Sequence, residues 1–283
     1  MNRVVTIFIS RISFSAFFCL WTGLKIHAQD TASWLDKIIT MDGLPMEWQQ
    51  SDLKKDNKGS YHYCISNDTS TLYIGLLLKD EISKAKFLNA GFSIFLNSEG
   101  KEKRSLSIDF PLPDIEYDLS SDPRRLMDLK GIQLMGLLHA KQYEVSGFKD
   151  GNGKQNISDK NKAGIQIALG LTDSGFLFYE VMIPFRAMFK KMNSFSEINQ
   201  KNMAVCFLSN AITKPSGQQS QFSTSGVPPT PVSGRGGRGG QPQPESNNFP
   251  RSDNNNTPRS FGQMEKLFQN SRTWKIINLA KSI

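Results

Sequence analysis

Residues 71–80 read Thr-Leu-Tyr-Ile-Gly-Leu-Leu-Leu-Lys-Asp. Leu72, Ile74, Leu76 and Leu78 occupy alternate positions, and a period of two puts four apolar side chains on one face of an extended strand. Tyr73 is out of phase with them and is expected on the other face. The alternation recurs outward along the chain: in Phe92, Ile94 and Leu96; in Leu106, Ile108 and Phe110; in Ile165, Ile167, Leu169 and Leu171; and in Leu177, Tyr179, Val181 and Ile183. Each run reads as a strand with one buried face. The breaks hold residues that favour turns: Asn67-Asp68-Thr69, Asn97-Ser98-Glu99-Gly100, Asp150-Gly151-Asn152-Gly153 and Thr172-Asp173-Ser174-Gly175. Many short strands with little amphipathic helix predict an all-β fold, an antiparallel β-sandwich of jelly-roll or immunoglobulin-like type. Short helices are expected over 122–129, 185–192 and 263–269.

The pattern stops at 215–260. This stretch holds Gly234-Arg235-Gly236-Gly237-Arg238-Gly239-Gly240, then Gln-Pro-Gln-Pro and Asn-rich sequence. Few apolar side chains are present to offset ordering entropy, so a disordered Gly/Pro/Asn-rich loop is expected. Its glycines match the spacing G-x-G-x-x-G, but no strand precedes them and no helix follows, so they make no dinucleotide site. Thr273-Trp274-Lys275-Ile276-Ile277-Asn278-Leu279-Ala280 then reads as a strand. The loop is therefore read as an insertion before the last strand of one sandwich, which is tolerable because closure entropy grows slowly with length. At the other end, Arg3 and Arg11 accompany an apolar run over 12–24, and Ala28 offers a cleavage site. The expected organisation is a signal peptide over 1–28, a sandwich domain over 29–214, the loop over 215–260, and a short helix with the closing strand over 261–283. The run over 12–24 is short for a membrane span, and no other segment approaches that length. A periplasmic, secreted or cell-surface protein follows, without a transmembrane segment once the leader is removed.

The chain has 283 residues and a formal net charge of +8. Within 29–213 there are 22 basic and 23 acidic residues, so the surplus lies in the leader, the loop and the C-terminal end. A nucleic-acid partner needs basic residues gathered on one folded face and is not expected from this distribution. Past the leader only His62 and His139 occur, and no H-E-x-x-H, C-x-x-C or G-x-S-x-G motif is present. No catalytic residue, metal site or cofactor is expected. Asp150-Gly151-Asn152-Gly153-Lys154 begins like a calcium loop, but Lys154 stands where an oxygen ligand is needed, so it reads as a hairpin turn. Asp114, Glu116, Asp118, Asp122 and Asp128 read as a solvated acidic loop. Cys64 and Cys206 both fall in expected strands and read as buried thiols, with a disulfide left open in an oxidising compartment.

Five motifs stand in a definite order. They are Ile39-Thr40-Met41-Asp42-Gly43 with Met46-Glu47-Trp48; Ser66-Asn67-Asp68 with Leu72-Tyr73-Ile74-Gly75 and Lys79-Asp80; Gly91-Phe92-Ser93-Ile94-Phe95-Leu96-Asn97; Gly175-Phe176 with Glu180, Ile183 and Pro184; and the ending 274–279. Over 38–281 they resemble the family 9 carbohydrate-binding modules and related DOMON-like sandwiches. The resemblance makes Asp42, Gly43, Trp48, Asn67, Asp68, Tyr73, Asp80, Glu180 and Pro184 structural motif residues. Their chemistry fits independently: Asp42-Gly43 suits a turn, Trp48 a core position, Asn67-Asp68 a hairpin, and Asp80 a cap at a strand end. Sugar-binding members of that family clamp a sugar between two aromatic rings. The resemblance puts Phe87 at one stacking position and Phe261 or Phe268 at the other. Ser93 and Ser107 then stand where charged partners are usual, with Asn89 beside them. A DOMON-type haem would need axial Met or His, and no spacing here supports one.

The expected function is an exported, non-catalytic binding module for carbohydrate or another extracellular ligand, acting through an aromatic platform. The alternative is a structural or assembly protein of the cell envelope, with the same fold and no small-molecule site. The two part at Phe87. An exposed ring beside a concave polar surface fits the first, and burial in the core fits the second.

Overall fold

The computed structural model describes residues 30–56, 58, 60–112, 128–189, 194–213 and 265–282. The expected leader, the loop over 215–260, Phe261 and the acidic positions from Asp114 to Asp122 lie outside them. Thirteen strands are formed: β1 (Asp30–Thr31), β2 (Ser33–Trp34), β3 (Lys54–Lys55), β4 (Tyr61–Asn67), β5 (Thr71–Leu78), β6 (Phe92–Asn97), β7 (Leu106–Phe110), β8 (Gln142–Ser146), β9 (Gly153–Asn156), β10 (Gln166–Leu171), β11 (Leu177–Pro184), β12 (Met203–Ser209) and β13 (Ser271–Asn278). Four helices join them: α1 (Glu81–Ala90), α2 (Leu129–His139), α3 (Phe185–Met188) and α4 (Phe195–Ile198).

The strands build two sheets. One has seven strands in the order β1-β13-β12-β6-β7-β8-β9, and the other six in the order β10-β11-β5-β4-β2, with β3 also on β4. The long pairings are all antiparallel, as the alternation predicts. The sheets are mixed only because the two-residue strands β1 and β2 run parallel to β13 and β4. Ser209 ends β12 directly opposite Ser271, which begins β13, so the chain leaves and re-enters the sheet at neighbouring points.

The in-phase residues meet between the sheets. Leu72, Ile74, Leu76 and Leu78 of β5 pack with Phe92, Ile94 and Leu96 of β6 and with Leu106, Ile108 and Phe110 of β7. Tyr73 points the other way, as its phase predicts. With Trp48, Cys64, Leu77 and Phe178 it forms a second core on the outer face of the six-stranded sheet, covered by the segment from Leu35 to Leu53. This sheet is thus buried on both faces. Gly75 leaves room for the side chains of the flanking strands on this face, since a Cβ there would stand 2.7 Å from Cys64 Sγ and 3.0 Å from Phe178 Cζ.

Of the helix expected over 122–129 only Asp128 and Leu129 are described; α2 begins at Leu129 and runs through the apolar stretch closed by His139. Gly131 N donates to Asp128 Oδ1 at 2.9 Å, which fixes that start. α3 covers Phe185–Met188 of the segment expected over 185–192, whose residues 190–192 lie outside those described. The C-terminal helix is a single 3-10 turn, Lys266–Phe268. α1 is the element the alternation does not announce. Asp80 caps it by accepting from Ser83 N at 2.9 Å, and Gly91 ends it with a φ of 76°.

Candidate functional site

The motif residues on the six-stranded sheet converge on Glu180, which is fully buried on β11. Trp48 Nε1 donates to Glu180 Oε1 at 2.6 Å, and Gly43 N donates to Oε2 at 2.8 Å. Gly43 has a φ of 78° and its Cα abuts Gly170, so only glycine fits. Burial pushes the Glu180 carboxyl up to about 7, against the downward pull of these two hydrogen bonds and with the upward push of Asp42 and Glu47. The carboxylate fastens the covering segment to the sheet. Trp48 therefore lies in the core on the outer face of the six-stranded sheet. The hairpin at Asn67-Asp68 is tied in the same way. Asp68 Oδ1 accepts from Ser70 N at 2.6 Å and Thr71 N at 2.8 Å, and Tyr73 Oη donates to Oδ2 at 3.0 Å. Asn67 reaches the C-terminal end, where Ala280 N donates to its Oδ1 at 2.8 Å. Pro184 closes β11 and leads into α3. These contacts hold the covering segment, the hairpin and the C-terminal end to the sandwich.

The expected ligand residues do not come together. Phe87 is 0% exposed on α1, with its ring against Phe92, Phe110 and Tyr179 in the core. It is no stacking platform, because no face of it meets solvent. Helical spacing in α1 turns the ring inward between the sheets. Asn89, also on α1, donates from Nδ2 to Ala85 O at 2.7 Å within its own helix. Phe268 packs against the small cluster of Ala85, Leu129, Ile132, Ile212 and Leu267, away from any sheet face. Ser93 and Ser107 share the outward side of the seven-stranded sheet, on neighbouring strands, but both are buried there.

That outward face has an ordered arrangement. Antiparallel partners stand on the same side of a sheet. The register therefore aligns Trp274, Cys206, Phe95, Ser107 and Ser146 in one row across β13, β12, β6, β7 and β8. The next row holds Arg272, Leu208, Ser93, Asp109, Glu144 and Lys154. Arg104 bridges the rows. Its Nη2 donates to Ser107 Oγ at 2.9 Å, its guanidinium lies 4.9 Å over the Phe95 ring, and it approaches Asp109 Oδ2 at 4.0 Å. Trp274 is partly exposed. The contacts of Phe95 and Trp274 went unread in the sequence, although the phase of their strands contains the signal: each stands between inward-facing residues.

Cys64 and Cys206 are both buried free thiols. Cys64 belongs to the outer core of one sheet and Cys206 to the outward face of the other, so the sandwich separates them. Burial pushes the Cys206 thiol up to about 11 despite the opposing pull of Arg272, which leaves it protonated and a poor nucleophile. Among the described residues no group of three or more His, Cys, Asp or Glu is placed to hold a metal ion, and no helix is long and apolar enough to cross a membrane.

No protein-family model and no curated protein matches the chain. Among solved structures it is similar to a family 9 carbohydrate-binding module from Caldicellulosiruptor kristjanssonii in complex with glucose. The match has 11% identity and a TM-score of 0.32, and covers 66% of this chain and 80% of that one. Glucose is the ligand of that module.

Proposed function

We infer that this chain is an exported, non-catalytic binding module that takes carbohydrate, or a similarly polar extracellular ligand, on the outward face of its seven-stranded sheet. The observation that carries the reading is the pair of rows just described. Trp274, partly exposed, is the ring these rows present to solvent, and Arg104, Asp109, Glu144 and Arg272 supply donors and acceptors along them, while Phe95 is 7% exposed beneath the Arg104 guanidinium. Aromatic faces take the apolar faces of sugar rings for about 1 kcal/mol each, and the polar row orients the hydroxyls. The platform is thus Trp274 rather than Phe87.

Affinity gels and calorimetry with a panel of neutral glycans test this. Binding to one of them should be lost in Trp274→Ala while the melting midpoint holds. A panel without a binder, or binding that survives that substitution, defeats the reading. The burial of Phe87 favours a second reading, a structural or assembly protein of the cell envelope. In that case the same rows form a contact for another protein, and the variant would change assembly instead of glycan retention.

A further inference from the structure

A different surface gathers charge. The start of β4 and end of β5 face the end of β12 and start of β13 across the sandwich. A cleft of about 750 Å³ opens there, closed on its sides by the first turns of α1 and by the Lys266–Phe268 turn. Six cationic side chains line it: Lys55, Lys58, Lys79, Lys86, Lys266 and Arg272. Only two carboxylates, Asp56 and Asp80, do so, and both are engaged. Asp80 caps α1, while Asp56 Oδ2 accepts from Thr273 Oγ1 and Lys58 N at 3.1 Å and Oδ1 lies 3.7 Å from Lys275 Nζ. None of the six cations forms a salt bridge among the described residues.

The positive potential is felt inside the cleft. His62, which also lines it, is held below its ordinary pKa by burial and by the charges of Lys79 and Lys55. Lys86 is only 7% exposed, donates to the Gln269 carbonyl, and is drawn below its ordinary value by burial. Like charges kept together in a concave site favour an incoming anion. Hydroxyl and amide side chains stand among the cations: Ser60, Ser83, Ser209, Gln269, Asn270 and Ser271. Among the described residues lining it, the only aromatic ring besides His62 is Tyr61, whose ring is packed edge-on against Phe92 and Phe207 in the core. These residues offer no open aromatic face to a nucleobase, which single-stranded nucleic acids normally require.

We propose that this cleft binds an acidic oligosaccharide, whose carboxylate or sulfate groups meet the lysines while its hydroxyls meet the serine and amide side chains. The cleft is separate from the outward sheet face, with Arg272 at the corner they share, and the proposal does not depend on sugar binding at that face.

Calorimetry on the whole chain tests it with four probes: a heparin-derived sulfated oligosaccharide, an oligogalacturonate, a neutral cello-oligosaccharide and a single-stranded oligonucleotide. One acidic probe should bind, with an affinity that falls as salt screens the charges. The triple variant Lys55→Gln, Lys79→Gln, Lys266→Gln should weaken it at least about tenfold with the melting midpoint kept. A control triple with the same loss of charge elsewhere, Lys103→Gln, Lys160→Gln, Lys162→Gln, should bind as the parent does, and so should Trp274→Ala. Which acidic probe binds identifies the anionic group as sulfate or carboxylate. The proposal is overturned if neither acidic probe binds, if the cleft variant binds as well as the control, if Trp274→Ala alone abolishes binding, or if the oligonucleotide binds more tightly.

Discussion

Glu180 concentrates the chemistry of the fold in one side chain. It is a fully buried carboxylate with two donors, Trp48 Nε1 and Gly43 N, and it joins the covering segment to the six-stranded sheet. Its folded-state value of about 7 lies above its ordinary 4.5, so the folded protein holds this proton more tightly than the unfolded chain. The stability it contributes is fully present below 4.5 and is lost as pH rises through about 7. Glu180→Gln removes the titration and keeps one acceptor. The difference in melting midpoint between the parent and this variant should therefore shrink or reverse across that window and stay level above it; a difference constant with pH would contradict the assignment. Glu180→Ala strands the Trp48 N–H in an apolar setting and should cost about 2–4 kcal/mol in denaturant unfolding. In the sequence, Asp42, Gly43 and Trp48 stand in one motif and Glu180 in another, each marked only as structural. What was not readable is that one carboxylate receives both donors, because the partners are 132 and 137 residues away.

Among the elements, the strands followed from their periodicity and the helix α1 did not. Alternation is a local property, so Leu72 to Leu78 and Leu177 to Ile183 identify both the strand and its inner face. In α1 the buried positions include Lys84 and Lys86, which blur any apolar stripe. Lys84 is tolerated there because its Nζ donates to Glu81 Oε1 at 2.7 Å and to Gly175 O at 2.8 Å. Asp80 and Gly91 do mark the helix ends, but both are equally at home at the ends of strands. The consequence is Phe87, which helical geometry turns into the core. Phe87→Ala should cost about 3–5 kcal/mol on urea unfolding, as truncation of a buried aromatic does. Glycan binding per folded molecule should not change. Unaltered stability with lost binding would return the ring to a ligand site.

At the scale of the molecule, the seven-stranded sheet is completed by β13, whose first residue sits opposite the last of β12. The insertion between them therefore begins and ends at neighbouring positions, and shortening it changes closure entropy by about 1 kcal/mol at most. A chain lacking 217–258 should melt at the same temperature as the parent or slightly above it. A fall of several degrees in calorimetry would mean that the segment packs on the sandwich.

The sequence alone determined the alternating strands β5, β6, β7 and β11 and the inner face of each, because both depend on the spacing of apolar residues along one chain. It also determined the nearly even charge of 29–213. Only the tertiary structure decided what those outward and charged residues are next to. Strand pairing set Trp274 in line with Phe95, and the meeting of the two sheets brought Lys55, Lys79 and Lys266 to one cleft. Such neighbours are made by contacts between distant parts of the chain, and a charge balance summed along the sequence does not record where in space each charge ends up.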